Sequence, residues 1–381
     1  MKKYFVIDAD GHIGEDDLGY WHPIKYLPER WRSQAPQIIP VSEGTFRMKR
    51  FMIEGHVMPR ATGKGVSLHG PVGNTVKDMG GRPAGMHDPE SRIKDMDLDG
   101  IDIAVLFGEK IGGVGASGLD NGDLAAALAS AYNSWVADFC ESNPDRLKAV
   151  VCLALQDIAT ASVELRRCVK EHAFVGAVIA PNFNGMHLGE SYFDPLYAEA
   201  QEADIPICSH ASTNGAGPRI SIPGAEFFDK FFFTHMPHHC FAQMLASLSV
   251  IGGGVLDRFP RLRYAFMEAW SGWLPFWMER MQHHWEKLGV QIQIKQSPME
   301  YIQEGRLFFA CEPGEKNLAH VVQTIGDDHL FYASDYWHWD SEFPGTVREI
   351  EERKELSERT KMKILGENAS RLFKLPVRVT A

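Results

Sequence analysis

Short apolar runs alternate with amphipathic stretches along most of the chain, and the two periods they follow predict strands and helices in turn. The first run, Val6-Ile7, leads into Asp8-Ala9-Asp10-Gly11-His12, so an apolar strand ends in acids, a glycine and a histidine. From Ile93 onward the alternation becomes regular. Near-continuous apolar segments at 101–107, 147–155, 176–180, 205–209, 262–267, 307–310 and 330–333 predict the remaining strands. Between them, residues 124–141 place Leu128, Tyr132, Trp135, Val136 and Phe139 on one side of a helix. Further helices are predicted at about 160–172, 195–203 and 239–256, and from 273–275, where proline suits a first turn, through Trp285.

Strands buried on both faces and separated by helices imply a parallel sheet covered by helices, and eight of them imply a (β/α)8 TIM barrel. A doubly wound open sheet is the rival architecture, but it has no need to bring the acids and histidines named below to one rim. The chain reads as a single domain, 1–381, with a helical tail after the last strand. Residues 13–92 read as a long irregular insertion. Its second half, 63–89, is rich in glycine with little apolar period, the texture of a lid, a binding loop or a packed surface loop.

Active sites of such barrels lie at the C-terminal ends of the strands. Asp10 and His12 fall after the first strand, His210 after the fifth, Glu268 after the sixth and Asp335 after the eighth. Asp10 and His12 are two apart, so on an extended strand they project to the same side. Carboxylate and imidazole donors suit a divalent ion such as zinc, manganese or iron, and Asp10, His12, His210 and Asp335 together make a set for one.

Composition narrows the partners. With 44% hydrophobic and 23% charged residues and a formal charge of −11, the chain has no basic face for nucleic acid or an anionic membrane, which leaves a small-molecule substrate. The N-terminal apolar run stops at Asp8, too short for a signal peptide, and no stretch approaches the roughly 20 apolar residues of a membrane helix, so the expected location is cytoplasmic. Six scattered cysteines without a Cys-x-x-Cys pair suggest neither a disulfide framework nor a thiolate metal site. A homodimer is the default assembly. Two glycine spellings fail on context: Gly113-x-Gly115-x-x-Gly118 does not open a helix after a strand, and Gly63-Lys64 lacks the flanking glycine and hydroxyl residue of a phosphate loop. No nucleotide cofactor is expected.

Several longer stretches, Asp10-Gly11-His12, the run that opens Arg92-Ile-Lys-Asp-Met-Asp, Glu268-Ala-Trp-Ser-Gly-Trp-Leu-Pro, Ala333-Ser-Asp-Tyr-Trp-His-Trp-Asp and Gly366-Glu-Asn-Ala-Ser-Arg-Leu-Phe, together resemble the amidohydrolase superfamily. The branch they are most similar to is the amidohydrolase-related group that includes aminocarboxymuconate-semialdehyde decarboxylase-like enzymes. The resemblance implies a metal-dependent TIM-barrel enzyme with Asp10, His12, His210 and Asp335 around a divalent ion, and Asp335 doubling as acid and base.

Glu268 stands where decarboxylases of that group place a catalytic histidine, which favours a hydrolase acting on an amide, ester, lactone or thioester through metal-activated water. The alternative is non-oxidative decarboxylation, or hydration, of an aromatic or unsaturated acid. Glu15, three residues past His12, and Glu268 are read either as extra ligands of a second ion or as groups that orient the ligands. His238 and His239 are candidate substrate donors or general acids, with helix capping as the other reading. His338 is read as pocket wall or substrate contact, and His283-His284 as exposed. Arg47, Arg50, Arg60 and Lys64 are candidate anchors for an acidic substrate group.

Overall fold

In the computed structural model the chain is described over residues 3–377, apart from 17–19, 44–45, 59–82, 212–216, 218, 225–226 and 229. Eight short strands are hydrogen-bonded in sequence order. They are β1 (Ile7–Ile13), β2 (Ile103–Gly108), β3 (Leu147–Cys152), β4 (Gly176–Ile179), β5 (Ile207–Ser209), β6 (Tyr264–Phe266), β7 (Leu307–Cys311) and β8 (Leu330–Tyr332). Every pair joined along this order is parallel. All residues of β1, β2 and β4–β8 are buried, which is why their sequences are continuous apolar runs rather than alternating ones.

The ring closes between its first and last members. The Asp335 N–H donates to the Asp10 carbonyl at 3.1 Å and the His12 N–H to the Tyr336 carbonyl at 2.6 Å, so the segment just past β8 lies along β1. The expected (β/α)8 TIM barrel is the observed fold.

Helices cover the outside, and their starts are set by side chains that satisfy unpaired backbone amides. Asp88 caps α1 (Pro89–Asp99), Asn121 caps α2 (Gly122–Glu141) and Asp157 caps α3 (Ile158–His172). Gly100, at φ 84°, ends α1 in the left-handed conformation that glycine adopts without strain. After α4 (Asp194–Glu202) comes α5 (Phe231–Gly252), which begins eight residues earlier than the expected start at 239 and runs through Pro237. Then α6 (Leu274–Leu288) follows β6, and the chain ends in the short helices Thr346–Glu351, Glu358–Met362 and Asn368–Phe373, as the expected helical tail.

The expectation of an irregular 13–92 segment needs correcting. Gln37–Glu43 and Phe46–Ile53 pair antiparallel and His56–Val57 adds a third strand, while α1 already starts at Pro89. Most of the glycine-rich 63–89 stretch, with Arg60 and Lys64, lies outside the described residues, as does the Arg47 side chain. Among the described residues no helix is long and apolar enough to cross a membrane. All six cysteines are free thiols.

Candidate metal centre and active site

Three strand ends and the closing seam deliver the chemistry. β1 carries Asp10 and His12 inward, fully buried, and Gly11 between them is dictated by crowding: a Cβ there would meet Arg92 Nη2 at 2.5 Å and the Asp8 carboxylate at 2.6 Å. That crowding is useful. Arg92 Nη1 donates to the His12 carbonyl at 2.7 Å, and Asp8 accepts from the Ser334 amide (2.9 Å) and hydroxyl (2.7 Å), which ties β1 to the loop carrying Asp335. Burial pushes the Asp8 carboxyl up to about 6, against the pull of Arg92 and Ser334.

His210 follows β5 directly, Glu268 comes two residues after β6, and Asp335 three after β8. Glu268 (φ 43°) and Asp335 (φ 51°) both hold the left-handed backbone conformation, a strained choice for these residues of the kind that clusters at functional sites.

The expected set converges. His12 Nε2 lies 3.7 Å from Asp10 Oδ1 and 3.3 Å from Asp335 Oδ1; His210 Nε2 lies 3.6 Å from Asp10 Oδ1 and 3.2 Å from Glu268 Oε2. His210 Nδ1 donates to the Ala211 carbonyl at 2.7 Å, so its Nε2 carries the lone pair in the neutral ring. Neither oxygen of Asp10, neither ring nitrogen of His12, nor His210 Nε2 makes a hydrogen bond, although all are buried. Buried polar atoms are almost always satisfied. Orphaned carboxylate and imidazole atoms aimed at one another are what a divalent ion satisfies, so the residues present fit one.

The electrostatics agree. Burial works against charge on His210, yet Asp10 and Glu268 outweigh it and raise the imidazole to about 9. A proton there does in part what a cation would do more fully. The Asp335 carboxyl is likewise opposed by burial, but His338 holds it below the ordinary aspartate range, and Asp335 in turn holds His338 well above the ordinary histidine value. His338 Nδ1 sits 2.6 Å from Asp335 Oδ1 and 3.5 Å from Glu268 Oε1, and its ring stacks on His12 with centroids 4.1 Å apart. Of the two readings of His338, this places it inside the charged cluster rather than in an apolar wall.

Helix α5 adds imidazoles. His239 reaches the centre: its Nδ1 donates to the Glu268 carbonyl at 3.0 Å and lies 3.4 Å from Glu268 Oε1. His238 is fully buried, its ring centroid 5.0 Å from that of His239, and it belongs to none of the metal-capable clusters among the described residues. His235, one turn before His239, was not singled out from the sequence, because the helix was expected to begin only at 239; the spacing His235-x-x-x-His239 is the signal that an earlier start reveals. His283 and His284 are exposed, as expected.

Glu15 departs from its expected place. It is fully buried, but its carboxylate accepts from the backbone amides of Ile111 and Gly112 (3.2 Å to the latter), and it is outside the metal-capable clusters among the described residues. Three residues past His12 the chain has already turned away from the centre, so Glu15 anchors the loop after β2. Burial pushes its carboxyl up from 4.5 to about 7. An acid whose folded value is raised contributes stability below its unfolded value and loses it as pH rises through the folded one, here between about 4.5 and 7. The difference amounts to roughly 3 kcal/mol. Glu15→Gln is therefore expected to melt progressively higher relative to the parent protein from about pH 4.5 to about pH 7 and to hold that difference above it, followed by circular dichroism; a difference that does not change across that window would refute a neutral Glu15.

Comparison with known proteins adds the chemistry of relatives. A γ-resorcylate decarboxylase of a Rhizobium species is 29% identical over 301 residues, 75% of this chain and 87% of that protein. A 2-amino-3-carboxymuconate-6-semialdehyde decarboxylase of Dictyostelium discoideum is 28% identical over 287 residues, 74% of this chain and 75% of that protein. Among solved structures, the 5-carboxyvanillate decarboxylase of Novosphingobium aromaticivorans, complexed with manganese and 4-hydroxy-3-methoxy-5-nitrobenzoic acid, superposes with a TM-score of 0.72 at 24% identity, covering 98% of this chain and 97% of that one. These relatives overturn the expectation of a hydrolase: Glu268 in place of a histidine does not take the chain out of their company, and it is the alternative reading, carboxyl loss, that they share. A family model for amidohydrolases matches residues 7–375, and the chain therefore belongs to the amidohydrolase family, on the branch of its decarboxylase relatives.

Proposed function

We propose that this protein is a divalent-metal-dependent, non-oxidative decarboxylase of a hydroxylated aromatic carboxylic acid. The observation that carries the reading is the placement of Asp335 at the barrel seam, within reach of both His12 and the proton-holding His338. Asp10, His12, His210 and Asp335 would hold the ion, with manganese the choice that the solved relative supports. A bound divalent ion supplies Lewis acidity and a fixed anchor for the substrate carboxylate and its neighbouring oxygen.

The protein's own residues then move one proton. The proton rests on the His338 imidazole, whose Nδ1 lies 2.6 Å from Asp335 Oδ1. Through Asp335 it passes to the ring carbon that bears the carboxylate, and the ring supplies the electron pair for the new C–H bond. The C–C bond to the carboxylate breaks, its electrons restore the aromatic ring, and CO2 leaves. No oxidant is needed, and the pair regains its proton from water. Burial of Asp335 and His12 keeps bulk water from competing for the transferred proton.

CO2 release from a panel of hydroxybenzoates, including 2,6-dihydroxybenzoate and 5-carboxyvanillate, tests the reading with manganese-loaded protein. Stoichiometric CO2 and the decarboxylated phenol from at least one member is the expected result. Turnover of esters or thioesters, or water addition to an unsaturated acid, without CO2 from any member would overturn it.

A further inference from the structure

The two oxygens of Glu268 face different groups. Oε2 lies 3.2 Å from His210 Nε2, on the side of Asp10 and His12, whereas Oε1 lies 3.4 Å from His239 Nδ1 and 3.5 Å from His338 Nδ1. On the α5 side stand two histidines four residues apart, so that the helix stacks them on one face, with ring centroids 4.7 Å apart. One donor atom from each of His235, His239 and Glu268 falls within 4.8 Å of the others. Two imidazoles and one carboxylate are a common minimal set for a transition-metal ion with open positions. The Glu268 carbonyl accepts from His239 Nδ1, which fixes that tautomer and leaves Nε2 as the ligating nitrogen.

Charge points the same way. Asp10 and Asp335 already balance one divalent ion. Glu268 is a third carboxylate in the same buried space, and its ion-pair partners among the described residues are His210, His239 and His338, with no lysine or arginine. A cation on its α5 side would neutralise that third charge.

We propose that His235, His239 and Glu268 form a second divalent-metal site, with Glu268 bridging to the ion held by Asp10, His12, His210 and Asp335. The proposal rests on the reading of that first site. Of the two extra ligands that the sequence offered for a second ion, it keeps Glu268 and replaces Glu15 with His235 and His239. The ions it takes are those of imidazole and carboxylate sites, with Mn2+ the convenient probe because its electron spin reports a neighbour.

The test uses full-length protein stripped with chelator and titrated with Mn2+, with bound metal counted after equilibrium dialysis and the electron paramagnetic resonance spectrum recorded. The expected result is two equivalents with a spin-coupled spectrum. His235→Ala and His239→Ala should each bind one equivalent with the six-line spectrum of isolated Mn2+; retention of that equivalent and an unchanged circular dichroism spectrum show that they fold. One equivalent in the parent protein, unchanged in both variants, overturns the second site alone, as do two equivalents retained in both variants. No bound metal in the parent protein overturns the first site and the second with it.

Discussion

Asp335→Asn is expected to lower CO2 release by about 10³-fold or more at saturating manganese, the upper part of the range for loss of a positioned acid or base. Asparagine nearly preserves the shape and keeps an oxygen where Asp335 Oδ1 lies, 3.3 Å from His12 Nε2 and 2.6 Å from His338 Nδ1. What it cannot do is accept the His338 proton and release it to carbon. The variant also removes one negative donor from the metal set, so its metal content must be measured in the same preparation. With the ion present and CO2 release gone, proton transfer is the lost step. Activity within tenfold of the parent protein would remove Asp335 from the mechanism.

Removing the ion has the second large effect. Chelator-stripped protein should release no CO2 and regain activity on adding Mn2+. It should also be less stable: an ion that binds only the folded state, present at a thousandfold its Kd, stabilises by about 4 kcal/mol. For a chain of this size that is a rise of several degrees in Tm. Asp10→Ala should abolish the Mn2+-dependent rise, because Asp10 supplies two of the buried oxygens that lack hydrogen bonds. A rise of equal size in Asp10→Ala would place the ion elsewhere.

Much of the barrel and of the candidate site is legible in the sequence. Continuous apolar runs marked the strands because a parallel barrel buries both faces of each, and β3 and β7 start where the runs start. Asp10, His12, His210 and Asp335 were legible as candidates because each stands within a few residues of the end of such a run. Strands β5 and β6 are shorter than their apolar runs: Ile205 and Leu262 are buried but stand outside the ladder, and burial is all that composition reports. Helix α5 starts eight residues before the expected 239 and absorbs Pro237, a residue that disfavours a helix interior, and His235 was lost with the missing turns. Glu15 was misplaced for the opposite reason: nearness in sequence to His12 suggested nearness in space, and no periodicity shows where a chain turns after leaving a strand. The choice between hydrolysis and decarboxylation lay beyond periodicity altogether, since one donor set serves both.

The barrel seam has a consequence for how the protein comes to life. The loop after the last strand brings Asp335 to the same place as Asp10 and His12, which β1 supplies far earlier in the chain. On the proposed reading, until the final strand docks beside the first, the ion would lack one of its carboxylates and the proton relay its donor. Catalytic competence would then be a late event in folding, and an ion held across the seam would act as a clasp that joins the first and last strands of the barrel.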